Sequence, residues 1–229
     1  MAAGKLTPFY IALGVLAVAG AIFIAREMKG PGMPVLDIDA RAPVSVGQRG
    51  VVFGSDSAPV ELLEMSDFEC PWCARYAVLQ MPDIKQRLVP TGRLRVRFVH
   101  FPLAMHRKGP MAHLAAACAN EQGRFWQMHD VIFENQQEWI TGNTARLMRD
   151  YAQRIGLDLA RYDSCVDEQR AWGQVLADKA LGDSLSPGAG TPTFFLNGRL
   201  LSGSPTYDDL RRLIDSLAPL PAPGSAPAR

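Results

Sequence analysis

Cys70-Pro71-Trp72-Cys73 places two thiols one helical turn apart. At that spacing two sulfurs can close a disulfide with each other, or divide the work of exchanging one with another molecule. One sulfur attacks, and the other resolves the mixed disulfide that results. The motif stands where an apolar, strand-length run at 59–65 gives way to a helical pattern. In that setting Cys70 falls near the N-cap and Pro71 at the first helical position, where a missing N–H costs nothing. A helix N-terminus offers unsatisfied N–H groups and partial positive charge, and both stabilise a thiolate. Such sites lower a cysteine from about 8.5 toward roughly 3.5 to 7.5. Cys70 is therefore the expected nucleophile. Cys73, one turn on and facing inward, is the expected resolving thiol.

Two further readings of C-x-x-C compete. It is half of many structural zinc sites, but no second C-x-x-C or close histidine pair completes one, since Cys118 and Cys165 are far apart and His100, His106, His113 and His129 lack ligand spacing. The motif is also short enough to arise by chance, although proline at its second position and a strand-to-helix junction are what redox chemistry requires. No metal and no cofactor is expected, and no nucleotide motif is present. Gly190-Thr191-Pro192-Thr193 adds an independent signal. Proline at the first residue of a strand removes a ladder donor, and a cis bond is the usual reason to keep one at a tight entry. An ordinary trans turn proline is the alternative; the accompanying C-x-x-C favours cis.

The elements that must position these residues follow from the patterning. Residues 51–53 and 59–65 read as strands, Cys70 to about Leu88 as a helix kinked at Pro82, and 94–101 as a strand alternating at period two. Strand, helix, strand is a βαβ unit with a right-handed crossover. From about 105 to 185 the pattern is helical, which makes this block an insert. The sheet resumes at 193–196 and 199–201 around Asn197-Gly198, a strong hairpin signal, and an amphipathic helix from Tyr207 to about Leu217 closes an α/β domain spanning 49–217.

Outside that domain, the uncharged run at 8–25 is long enough, at about 1.5 Å per residue, to reach across a hydrocarbon core of roughly 30 Å. It is read as an uncleaved transmembrane signal anchor behind a cytoplasmic segment 1–7; a removed signal peptide is the alternative. Residues 26–48, rich in turn-formers, read as a tether, and 218–229, rich in proline and alanine, as a disordered tail. Of the 229 residues 24 are basic and 23 acidic, a net charge of +1 that supplies no field for nucleic acid. Four cysteines are too few to staple a chain of this length, so a hydrophobic core must fold it.

Several segments together resemble the DsbA-like thioredoxin family: Ser66-Asp-Phe-Glu-Cys-Pro-Trp-Cys73, His100-Phe-Pro-Leu103, Ala115-Ala-Ala-Cys-Ala119 with Gln122-Gly-Arg-Phe-Trp126, and Gly190-Thr-Pro-Thr-Phe-Phe-Leu-Asn-Gly198. The resemblance covers roughly 51–217. It implies a thioredoxin fold, βαβ plus ββα with a helical insert, and a cis Pro192 packed on the cysteine centre and helping to hold the substrate strand. Thr191, Trp72 and Pro71 would then help to hold a substrate strand. Anchored members of the family face the periplasm or cell exterior, where reduced or misoxidised exported proteins are the substrates. A membrane redox partner, either a quinone-linked oxidase or an electron-donating protein, would complete the cycle.

The family also keeps a buried acid six residues before the nucleophile, which here is Glu64. In a strand covered on both faces its carboxyl would be desolvated and its pKa raised, fitting it to relay protons to Cys73; an exposed strand glutamate is the plainer alternative. Trp72 stands where the family's best-known oxidase has a histidine that stabilises the thiolate, so oxidase, reductase and isomerase directions all stay open. A redox-silent peptide-binding module is a further alternative that an active Cys70→Ala variant would support. Cys118 and Cys165 fit a static clamp on the insert, which an oxidising compartment favours, a second redox disulfide, or two buried free thiols. Phe68, Trp72 and Phe194 fit an apolar collar for substrate, or simple core.

Overall fold

The computed structural model describes residues 14–20, 38, 43–45 and 47–219. The chain divides into two compact units, Met1–Leu36 and Asp37–Arg229. In the first, residues 14–20 are helical. Most of the anchor expected at 8–25 lies outside the described residues, as do the segment 1–7, much of the tether at 26–48 and positions 220–229 of the tail. Among the described residues no helix is long and apolar enough to cross a membrane.

The second unit is built on a mixed sheet of five strands: β1 (Val51–Phe53), β2 (Val60–Ser66), β3 (Leu94–His100), β4 (Thr193–Leu196) and β5 (Arg199–Leu200). Their order is β1-β3-β2-β4-β5. Only β2 and β3 run parallel, in register from Val60↔Leu94 to Ser66↔His100. Both are buried along almost their whole length, polar side chains such as Glu64, Ser66, Arg97 and His100 included, as befits parallel strands covered on both faces. Asn197 and Gly198 both take positive φ, 47° and 78°, as a tight two-residue hairpin turn requires.

Helix α1 (Pro71–Leu79) starts the crossover between the parallel strands. The single kinked helix expected to about Leu88 is instead a series of short pieces. α1 stops at Gln80, two residues before Pro82, because proline has no N–H to continue the ladder. A turn at Met81–Asp83, a π-helical stretch at Ile84–Leu88 and a 3-10 turn at Val89–Thr91 follow, and Gly92 at φ 72° ends the run.

The insert is helical, comprising α2 (Gly109–Asn120), α3 (Phe125–Glu134), α4 (Gln136–Thr141), α5 (Thr144–Arg154), α6 (Leu159–Asp167) and α7 (Trp172–Leu185). α7 lies so close to the sheet that a Cβ on Gly182 would come within 2.4 Å of the Phe101 ring. Asp178 of the same helix accepts from the N–H groups of Gly50 and His100. Cys118 of α2 and Cys165 of α6 are joined by a disulfide, S–S 2.05 Å. α8 (Tyr207–Leu217) closes the unit, opened by a capping box in which Thr206 and Asp209 satisfy each other's N–H groups.

The pleat of β2 divides its residues between two environments. Leu63 and Met65 join Val99, Phe101 and Phe195 in an apolar cluster. The alternate positions Leu62, Glu64 and Ser66 share the opposite face. Two polar side chains, both fully buried, are therefore carried on one face of a central strand.

Candidate active site

The junction between β2 and α1 positions both cysteines. Cys70 occupies the N-cap with extended backbone, φ −74° and ψ 124°, and Pro71 takes the first helical position. Both sulfurs are free thiols, and Cys70 is only 4% exposed while Cys73 is fully buried. The N–H of Asp67 donates to Cys73 Sγ at 3.5 Å. Cys70 Sγ donates to the Thr191 carbonyl oxygen at 3.3 Å, and the Thr191–Pro192 bond is cis.

The two sulfurs are electrostatically unequal. Cys70 is pulled down to about 5, first by a hydrogen bond from Cys73 and then by the Thr191 hydroxyl and the N–H groups of Cys73 and Trp72. Cys73 is pushed up, chiefly by burial and then by its bond to Cys70 and the charge on Glu64. A thiolate at the helix N-terminus beside a protonated inner thiol can attack a disulfide and then resolve it.

Glu64 lies in register with Phe98 on one side and Phe194 on the other. Burial raises its carboxyl to about 7, with the Ser66 hydroxyl opposing the rise and the charge of Cys70 adding to it. Trp72 is 63% exposed, with the Arg75 guanidinium 5.9 Å from its ring, and Pro71 is exposed as well. Of the two readings given for Phe68, Trp72 and Phe194, simple core holds for Phe68 and Phe194, which are buried side chains. Phe68 stacks on Phe98 at 5.2 Å, and Phe194 meets Tyr76 at 4.4 Å.

Other residues support the cysteine loop that sequence reasoning passed over. Asp67 is fully buried, and its carboxylate accepts from the N–H of Glu69 at 2.9 Å and of Leu103 at 2.7 Å. His106 Nδ1 lies 2.8 Å from the same carboxylate and His113 Nε2 3.4 Å, while His100 and His113 meet through their Nδ1 atoms at 2.9 Å. Burial alone would raise Asp67, but the bonds from His113, Leu103 and His106 outweigh it and hold the carboxyl at about 2. Three of the four histidines, His100, His106 and His113, thus converge on the Asp67 carboxylate, His100 by way of His113, while His129 Nδ1 meets Asp130. Their residue types were a usable signal, but their spacing was not. Among the described residues no group of three or more His, Cys, Asp or Glu side chains is placed to hold a metal ion.

Glu69 caps α2, its Oε2 accepting from the N–H groups of Lys108 and Gly109. Gln136 of the insert is buried and donates Nε2 to the carbonyl oxygens of Phe68 at 2.8 Å and Cys70 at 2.9 Å. Nothing in the sequence around Gln136 marks it. Insert and cysteine loop are thereby held as one structure.

Residues 47–216 match the family model described as Thioredoxin. The chain belongs to the thioredoxin family, in its DsbA-like branch. It is 27% identical over 172 residues to the probable disulfide bond formation protein D of Bacillus anthracis, covering 71% of this chain and 75% of that one. The crystal structure of oxidised BdbD from Bacillus subtilis superposes with a TM-score of 0.63 at 25% identity, covering 73% of this chain and 92% of that chain. A segment of the Na(+)/H(+) antiporter NhaA 3 of Salinispora tropica is 38% identical over 176 residues, which is 76% of this chain but 25% of the antiporter's length.

Proposed function

We propose that this chain is a protein thiol-disulfide oxidoreductase that forms disulfides in exported proteins, held at the cell membrane by the anchor at 8–25 with its catalytic unit outside the cytoplasm. The observation that carries the reading is the asymmetry of the cysteine pair, with Cys70 pulled down to about 5 and Cys73 pushed up. In the oxidised protein a substrate thiolate attacks Cys70 Sγ, and the Cys70–Cys73 bond breaks. Cys73 leaves as a thiolate and takes a proton. A second substrate thiolate then attacks the substrate sulfur of the mixed disulfide and releases Cys70, which stays ionised because its thiolate is stabilised. Two electrons pass from the substrate to the cysteine pair; the two substrate thiols give up two protons on ionising, Cys73 takes up one, and one is released net to solvent. A membrane partner such as a quinone-linked oxidase would restore the disulfide. Glu64, raised to about 7 behind Cys73, is suited to supply the proton. Thr191, Pro192, Pro71 and the exposed Trp72 offer the substrate contact surface beside Cys70.

One observation favours the opposite direction: Trp72 supplies no formal charge to the thiolate, so a reductase or isomerase fed electrons from the membrane is the second reading. Equilibration with glutathione separates the two. A potential near about −120 mV supports oxidation, and one near about −270 mV supports reduction; the gap is roughly 7 kcal/mol for two electrons.

A further inference from the structure

We infer that Ser66 and Tyr76 form the proton path of the buried centre, with Ser66 bridging Cys73 to Glu64 and Tyr76 connecting Glu64 to the surface. This inference rests on the exchange chemistry proposed above and adds the route by which its proton travels.

The need for a route follows from burial. Glu64 sits in a central strand, fully buried between Phe98 and Phe194, so its carboxyl has no direct access to solvent. Ser66, two residues on, shares its face of β2 and is equally buried. Across from that face, α1 presents Cys73 and, three residues later, Tyr76 on one side of the helix. The Tyr76 ring lies 4.4 Å from that of Phe194, the register partner of Glu64.

The oxygens along this line share a property with only a few other buried polar atoms of the described residues, Arg97 Nε, His100 Nε2, His129 Nε2 and Thr191 Oγ1. Both carboxyl oxygens of Glu64, Ser66 Oγ and Tyr76 Oη are buried and lack a protein partner at full hydrogen-bond geometry. Buried polar groups are ordinarily satisfied, and phenylalanine would fill the place of Tyr76 against Phe194 without leaving a hydroxyl unpaired. A run of such oxygens leading away from one reactive sulfur calls for a role beyond packing. The electrostatics agree with the placement: the Ser66 hydroxyl favours the charged forms of both Glu64 and Cys73. Tyr76 is pushed up by burial and then by Glu64 and Asp209, so it keeps its proton and passes protons through the hydroxyl without ionising.

The outer end lies beside a surface cavity. Tyr76 forms part of the wall of a surface cavity of about 340 Å³ with Trp72, Gln80, Ser204 and Thr206. Asp209, whose carboxylate accepts from the N–H and hydroxyl of Thr206, stands close by as an acceptor. The ionisable groups facing Glu64 are Cys70, Cys73 and Tyr76; those facing Tyr76 are Glu64 and Asp209.

During substrate oxidation the departing Cys73 thiolate takes the Ser66 hydroxyl proton while Ser66 takes one from the Glu64 carboxyl. The Glu64 carboxylate is then recharged by the Tyr76 hydroxyl, which takes a proton from the cavity side. Each hydroxyl ends as it began, and the net event is one proton moved from solvent to Cys73.

The test uses the full chain and its Tyr76→Phe and Ser66→Ala variants. Single-turnover oxidation of a dithiol peptide is followed in H2O and D2O from about pH 5 to about pH 9, with the Cys70 thiolate titrated by ultraviolet absorbance in parallel. Each variant is expected to slow the step at least about tenfold above the Glu64 midpoint of about 7 and to change the solvent isotope effect. The Cys70 titration should not move in Tyr76→Phe, which shows that the site is intact. Rates and isotope effects matching the unmodified chain in both variants overturn the path while leaving the exchange reading in place. An unmodified chain unable to oxidise the peptide overturns both.

Discussion

Cys70 Sγ meets the carbonyl oxygen of Thr191 at 3.3 Å, joining two points 121 residues apart in the chain. The carbonyl holds the sulfur while it carries its proton. The N–H groups of Cys73 and Trp72 at the start of α1 favour it once the proton is gone.

The potential should therefore change its pH dependence near the Cys70 midpoint of about 5. A depressed thiol stabilises the reduced folded form most fully above its unfolded value of 9.0, and that contribution is lost as pH falls through about 5. Below the midpoint, reduction takes up two protons and the potential should fall about 59 mV per pH unit; above it, one proton and about 30 mV. A glutathione titration series checks this, and a single slope through the whole range would refute the assignment of Cys70 as the ionised thiol.

Glu64 makes stability pH-dependent in the opposite sense. Its carboxyl is raised from 4.5 to about 7, so the favourable contribution of the protonated form is complete below 4.5 and is lost as pH rises through about 7. Above that point the fold carries a buried charge at a penalty of about 3 kcal/mol. Glu64→Gln should be more stable than the unmodified reduced chain at alkaline pH by up to about that amount, and nearly equal to it in acid. Urea unfolding at several pH values measures the difference; one that does not vary with pH would contradict the raised carboxyl.

Gln136→Leu should loosen the cysteine loop. The side chain donates to the carbonyls of both Phe68 and Cys70, and its loss leaves two buried acceptors unsatisfied, at about 1–3 kcal/mol each. Denaturant unfolding should show a loss of about 2–4 kcal/mol, less than the full sum because the carbonyls can relax toward other donors. The alkylation rate of Cys70 should change with it, and an unaltered rate would mean that the loop is positioned without Gln136.

Replacing Cys118 and Cys165 together by alanine removes a crosslink between residues 47 apart. On the chain-entropy model this costs about 4 kcal/mol. If the bond is a clamp, unfolding should shift by about that amount while the Cys70 thiolate titration stays fixed; a shifted titration would favour the regulatory reading instead.

Much of the site was legible before folding because its signals are local. Cys70 and Cys73 are one turn apart at a strand-to-helix junction, Asn197-Gly198 marks its own hairpin, and Glu64 lies within an apolar strand. The supports of the site were illegible for the converse reason. Asp67 with His106 and His113, and Gln136 with the Phe68 and Cys70 carbonyls, are brought together across 39 to 68 residues of chain, and no sequence period connects partners at such separations. The choice between collar and core for Phe68 and Phe194 stayed open because an aromatic residue at a strand end looks the same in core and rim until packing assigns it.

By itself the sequence determined which atoms could do chemistry and the order of the elements carrying them, since residue type, helical spacing and the two-residue pleat are properties of contiguous chain. Only the tertiary structure decided that the two cysteines are unequal. The depressed value of Cys70 comes first from Cys73 and then from the start of α1, and the raised values of Cys73 and Glu64 come first from burial, all of which depend on what the folded chain sets against each group.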